Sequence, residues 1–298
     1  MHQGFIGEEI NGYRLLERLS ESGMSDVYLA ESASRAGSRK RFAFKIVHNK
    51  EDSDPHFVQR FMREMRILEE IQHPHILPLL DWGISPGELP YTVTEYIEDL
   101  RALSDLMAER PLTLQAAWQI LAPVFDVLAH LHADNILHRD LRPEKIYVLP
   151  TQDGYHGYMG NLGMSKQLGV DTTVTDWSIT LSAPGYVPPE HSRGEPYDTR
   201  SDIYLAAIVT YHVMLGEHPF DLNQSAIRII MAHDREDIPP PTLKKPDFPP
   251  ALESVIMRSL AKRQDDRHPT IQDFAAEVSA VLARLPADQT TRHYWLQE

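Results

Sequence analysis

The 298-residue chain carries 29 Lys and Arg against 43 Asp and Glu, a formal charge of −14, with 42% hydrophobic residues and no cysteine. Zero cysteine excludes disulfides, thiolate nucleophiles and Cys-ligated metal centres, and the acidic balance argues against a broad nucleic-acid or anionic-membrane footprint. The length fits two domains or one two-lobed domain, and composition alone permits either an enzyme or a binding domain. Residues 1–15 contain Glu8 and Glu9 and no apolar run, against a secretory signal. The most apolar stretch, Ile203 to Leu215, falls short of the roughly 20 residues of a spanning helix. A cytoplasmic chain without a membrane segment is expected.

Taken in order, short β-type runs come first: Tyr13–Leu19, Val27–Ala30, Phe42–Val47 and Tyr91–Glu95 read as strands. Phe57, Phe61, Met65 and Leu68 recur at helical spacing between the third and fourth runs, and His73-Pro74 closes that segment. After about residue 98 helices dominate. Leu114, Trp118, Leu121, Phe125, Leu128 and Leu131 form one amphipathic stripe, with Asp126, His130 and His132 on a solvated or hydrogen-bonded face. Further helices are predicted at 200–215, 223–233, 250–261 and 270–284. Ile238 to Pro250 carries six prolines and reads as loop. The pattern is a small β-rich lobe, then a larger helical one.

Lys45 lies on a strand and Glu64 on the next helix. They pair to hold the lysine toward a phosphate, or they are two solvated charges. His138-Arg139-Asp140 follows the long helix within Ile136-Leu137-His138-Arg139-Asp140-Leu141-Arg142-Pro143-Glu144-Lys145. With Pro188-Pro189-Glu190, Asp202 in Ser201-Asp202-Ile203-Tyr204, and Arg267 in Asp265-Asp266-Arg267-His268-Pro269, the chain resembles the eukaryotic-like Ser/Thr protein kinases, particularly the bacterial ones, over residues 13 to 284.

The resemblance implies an α+β, bilobal protein-kinase-like fold: a small β-rich N-lobe with one main helix (residues 9–97), a large helical C-lobe (98–284) and a tail (285–298), with a nucleotide cleft between the lobes. It places Ser20, Ser22, Gly23, Val27, Ala43, Lys45, Thr94, Glu95, Ile97, Lys145, Tyr147 and Asn161 in that cleft. Asp140 becomes the remnant catalytic base, with Lys45, Glu64 and Arg142 beside it. Leu68, His138 and Leu162 take stacking positions, Arg139 a regulatory one, Glu190 pairs with Arg267, and Asp202 opens the central helix.

Against that pattern several residues depart. Lys145 stands where the family has a magnesium-ligating asparagine, and Asn161-Leu162-Gly163 where it has Asp-Phe-Gly. The two positions change from −1 to +1, and near 4 Å at an effective dielectric of about 20 each charge pair is worth roughly 4 kcal/mol. No metal site is expected. Ser20-Glu21-Ser22-Gly23-Met24-Ser25 replaces the glycine-rich loop, Arg142 replaces a lysine, Ala183 a threonine, and Tyr147 a leucine. The reading is a pseudokinase, a scaffold or allosteric regulator that requires no cofactor and holds ATP, if at all, without magnesium. The alternative is an atypical Ser/Thr kinase with residual ATP-dependent transfer using Asp140, Lys45 and Lys145. Protein partners are expected, including an active kinase that phosphorylates Thr172, Thr173 or Thr175 for Arg139 to pair with; the competing reading of those threonines is a polar flexible loop. His73-Pro74-His75 reads as a turn rather than a metal site.

Overall fold

The structure is a computed structural model that describes residues 5–21, 25–33, 40–48, 57–160, 166–167 and 183–295, without the side chains of Arg60, Glu64, Ile67, Lys166 and Gln167. Two compact units divide the chain, Met1–Glu98 and Asp99–Glu298.

The first unit is built on six antiparallel strands: β1 (Glu9–Ile10), β2 (Tyr13–Glu21), β3 (Ser25–Ser32), β4 (Arg41–Val47), β5 (Leu79–Ile84) and β6 (Pro90–Glu95), in the order β1-β2-β3-β4-β6-β5. Side chains alternate faces along a strand. Tyr28 and Ala30 of β3, Phe44 and Ile46 of β4, and Tyr91 and Val93 of β6 therefore share one buried face with Ile10 and Leu15. Phe44 stacks on Tyr91 with ring centroids 4.8 Å apart. A one-residue slip would turn this whole set outward, so the core fixes the register. Helix α1 (Phe57–Glu70) buries Phe61 and Met65, one turn apart, and Phe61 meets Trp82 of β5 edge-on.

In the second unit β7 (Arg101–Ala102) leads into α2 (Leu103–Glu109) and the long α3 (Leu114–Ala133), whose N-cap Thr113 accepts from the Ala116 amide at 3.0 Å. Then come β8 (Ile136–Leu137), a 3₁₀ turn (Pro143–Lys145), β9 (Ile146–Thr151), β10 (Gly154–Met159) and β11 (Lys166–Gln167). The remaining helices are α4 (Pro189–Arg193), α5 (Thr199–Leu215), α6 (Ala226–Arg235), α7 (Pro241–Lys244), α8 (Pro250–Ser259), α9 (Ile271–Leu282) and α10 (Ala287–Thr290). The run of six prolines is thus not all loop. Proline's fixed φ suits the first helical turn, and Pro241 and Pro250 each start a helix.

Helix α5 is buried almost all round, from Ser201 to Met214 apart from His212. A capping box between Asp198 and Ser201 starts it and Gly216, at φ 76°, ends it. The Trp295 indole N–H donates to Val213 O at 3.0 Å, satisfying one of the helix's last carbonyls. Helix α3 has the length and mean hydropathy (1.2) of a membrane span, which the sequence reading did not single out. Its apolar stripe is spent on packing inside the unit: Leu114, Ile120, Leu121, Val124, Phe125, Leu128 and Leu131 are buried, and Phe125 packs on Phe274 of α9.

Three histidines lie on or beside α5: half-buried His212 on the helix itself, and buried His218 and His233. His212 Nδ1 lies 2.7 Å from Tyr186 Oη, His218 Nε2 2.8 Å from Gly185 O, and His233 Nδ1 2.9 Å from Tyr204 Oη. Burial pushes His212 and His218 down to about 4 and holds His233 well below the usual imidazole range. The neutral forms are therefore the folded ones. Their stability is intact above the unfolded value near 6.5 and is lost as pH falls toward 4, by roughly 3 kcal/mol for each of the first two. Thermal unfolding followed from pH 7 to 4 should show Tm falling steeply below pH 6, and the double change His212→Gln with His218→Gln should flatten that fall.

Candidate functional site

The loop from His138 to Lys145 is held from behind by Asp202, in the first turn of α5. Asp202 accepts from the His138 amide at 2.8 Å, the Arg139 amide at 2.8 Å and His132 Nε2 at 3.0 Å. Burial alone would raise the Asp202 carboxyl. The hydrogen bond and charge of His132, with help from His138 and the Arg139 amide, more than offset it and hold Asp202 below the ordinary carboxylate range. Arg139 adopts a left-handed backbone, φ 65°, which turns the loop sharply just after the two amides Asp202 binds, toward Asp140. The Asp140 amide donates back to His138 Nδ1 at 3.3 Å, and burial lowers the His138 imidazole. The Arg139 guanidinium lies over Tyr197 at 5.6 Å, and its buried Nε and Nη2 have no hydrogen-bond partner among the described residues.

Asp140, 8% exposed, is bracketed by two cations of its own loop. Arg142 Nε lies 3.0 Å from Oδ1 and Lys145 Nζ 3.4 Å from Oδ2. The Arg142 N–H is not aligned as a hydrogen bond, so that contact is coulombic. Burial pushes the Lys145 ammonium below the usual lysine range, against the pull of Asp140. Lys145 reaches Asp140 because the 3₁₀ turn compresses Arg142 to Lys145: the Lys145 amide donates to Arg142 O at 2.9 Å.

Magnesium seeks oxygen ligands, several of them anionic. Here an ammonium faces the loop's inner carboxylate oxygen, and no group of three or more His, Asp or Glu that could hold a metal occurs among the described residues. The donors described do not by themselves fit the ion. Asn161 lies outside the described residues, as do Leu162, Ser22, Gly23, Thr172, Thr173 and Thr175.

Tyr147 of β9 is placed by its register, opposite Ala102 on one side and Tyr158 on the other. Its ring lies against Gly160, where a Cβ would collide with it, and burial raises its phenol. Further on, Glu190 and Arg267 form a bidentate pair at 3.0 and 2.8 Å, side chains 1% and 0% exposed. Ser201 Oγ and Gln264 Nε2 also donate to Glu190, and the guanidinium lies 4.8 Å over the Tyr204 ring.

In the first unit, cross-strand partners place Ser20, Val27 and Lys45 together on the face opposite the core. Ala43 pairs with Thr94 on that same face. Glu95 ends β6 3.8 Å from Lys40 Nζ, and Ile97 follows it. Leu68 and Glu64 lie on α1, the Glu64 side chain outside what is described. Of the solvated or hydrogen-bonded face expected for Asp126, His130 and His132, His132 is hydrogen-bonded, to Asp202; Tyr197, Ser201 and Gln264 are partners that the sequence does not single out. His132 lies four residues after Leu128 and seven after Phe125, at the helical spacing of the apolar stripe, which is the signal that it turns inward.

Comparison with known families supports the same ground. The model of the protein kinase domain matches residues 13–295. The chain belongs to the protein kinase family. Similar proteins include the serine/threonine-protein kinases Pkn1 of Myxococcus xanthus (33% identical over 280 residues), PrkC of Bacillus subtilis (30% over 283) and PknB of Mycobacterium leprae (31% over 280). Each match covers 93% of this chain but only 39%, 42% and 43% of the relative, so the chain spans about two fifths of their length. The fold is the α+β, bilobal protein kinase fold. Family membership also corrects one expectation. Protein kinases work with ATP and magnesium, so the reading of this kinase domain as needing no cofactor, or as holding ATP without magnesium, does not stand.

Proposed function

We propose that the chain is a Ser/Thr protein kinase domain of atypical, slow phosphotransfer, acting on hydroxyls of protein substrates with ATP as donor. The substrate oxygen attacks the γ-phosphorus, the bond to the bridging oxygen breaks, ADP leaves, and Asp140 takes the hydroxyl proton. Lys45 and Lys145 neutralise phosphate charge. The observation that supports this reading is the folded loop itself: Asp202 holds its backbone, and Asp140 stands within it at the family's base position. The relatives' names, serine/threonine-protein kinase, agree with it.

A second reading, a scaffold or regulator without turnover, is favoured by the two cations on Asp140. It would act through protein partners, among them a kinase that phosphorylates Thr172, Thr173 or Thr175. Incubation with γ-labelled ATP, magnesium and a generic basic protein substrate, followed by phosphoamino-acid analysis, separates the two. Label on serine or threonine is the expected result, and no label above a heat-inactivated control supports the scaffold.

A further inference from the structure

Asp140 has two cations within ion-pair distance, both from its own loop, and they meet different oxygens. A carboxylate occupied in this way is poorly placed to receive a proton from a hydroxyl. Of the two cations, Lys145 is the one the fold holds at a cost. Its side chain is 14% exposed, and burial disfavours its charge, which Asp140 and the more distant Glu144 support while Arg142 opposes it. His138, the other titratable neighbour, is itself held low by burial. A buried ammonium in that balance moves readily toward a stronger anion, and a triphosphate carries more charge than one carboxylate.

We propose that Lys145 is a positioning residue that acts through Asp140. In the nucleotide-free chain it closes the carboxylate as an internal counter-ion, and it releases Oδ2 when its ammonium transfers to the ATP phosphates. Nucleotide binding thereby unlocks the base. The proposal deepens the phosphotransfer reading and rests on it for its consequence, though the lock itself is independent of turnover. Arg142 remains on Oδ1 throughout, which keeps the carboxylate oriented once Oδ2 is free.

Two measurements decide it. In the full chain with ¹³C-methylated lysines, assigned by Lys145→Met, the Lys145 signal should shift on addition of ATP with magnesium. It should already be displaced in Asp140→Asn, and ATP should then move it less. A signal that ignores both changes overturns the lock whether or not the chain transfers phosphate. In kinetics, Lys145→Met should raise the KM for ATP about 10-fold while leaving kcat within about 2-fold, because it removes a phosphate contact and the ATP-bound parent already has Oδ2 free. A kcat that falls with KM unchanged makes Lys145 a fixed catalytic cation and contradicts the proposal. Absence of transfer in both proteins defeats the kinase reading, and the resonance shifts still decide the lock.

Discussion

Glu190→Ala is expected to destabilise the chain by about 3–5 kcal/mol, because it leaves the Arg267 guanidinium buried without its carboxylate. Both side chains are essentially inaccessible, and the pair joins segments 77 residues apart. Ser201, in the first turn of α5, also donates to Glu190, so the loss spreads to the helix whose Asp202 holds the loop from His138 to Lys145. With domain stabilities commonly about 5–15 kcal/mol, this single change removes a large share of the total. Urea unfolding of the two variants checks it. Glu190→Leu combined with Arg267→Met should cost less than Glu190→Ala alone, since it removes the orphaned charge rather than creating it. Equal costs would mean that lost packing, not the charge, carries the effect.

The second large effect concerns phosphotransfer. Lys145→Asn with Asn161→Asp moves two positions from a sum of +1 to −1. With about 4 kcal/mol per charge pair at contact and an effective dielectric near 20, that change strongly favours a divalent cation supplied by oxygen ligands. The double variant should transfer phosphate at least about 100-fold faster than the parent, with half-maximal rate at lower magnesium. Rates measured across a magnesium series at fixed ATP test this. An unchanged rate and an unchanged magnesium dependence would show that these two residues are not what limits the site.

How much of this was legible in the sequence varies by element. Strands rich in buried alternating residues, such as Phe42–Val47, and the striped helices α3 and α9 announce themselves through periodicity. The two-residue strands β1, β7, β8 and β11 are too short to carry a pattern. Proline composition suggested loop at 238–250, yet Pro241 and Pro250 act as helix starters because only the missing N–H of a first turn is involved. At the site, residue types and order pointed to Asp140, Asp202, Glu190 and Arg267 through family resemblance. What no spacing could reveal was that Lys145 folds back onto Asp140. That contact depends on the 3₁₀ turn between Pro143 and Lys145, a local geometry set by packing. The partner of His132 was hidden for the opposite reason: Asp202 is 70 residues away along the chain.

On the proposed reading this chain transfers phosphate and Asp140 is the base. Initial rates of γ-phosphate transfer to serine or threonine, with ATP and magnesium, compared between the parent and Asp140→Asn, test it most directly. A slow but measurable rate in the parent, reduced about 10³-fold or more in the variant, is the predicted result. A parent rate no higher than that of Asp140→Asn would contradict it.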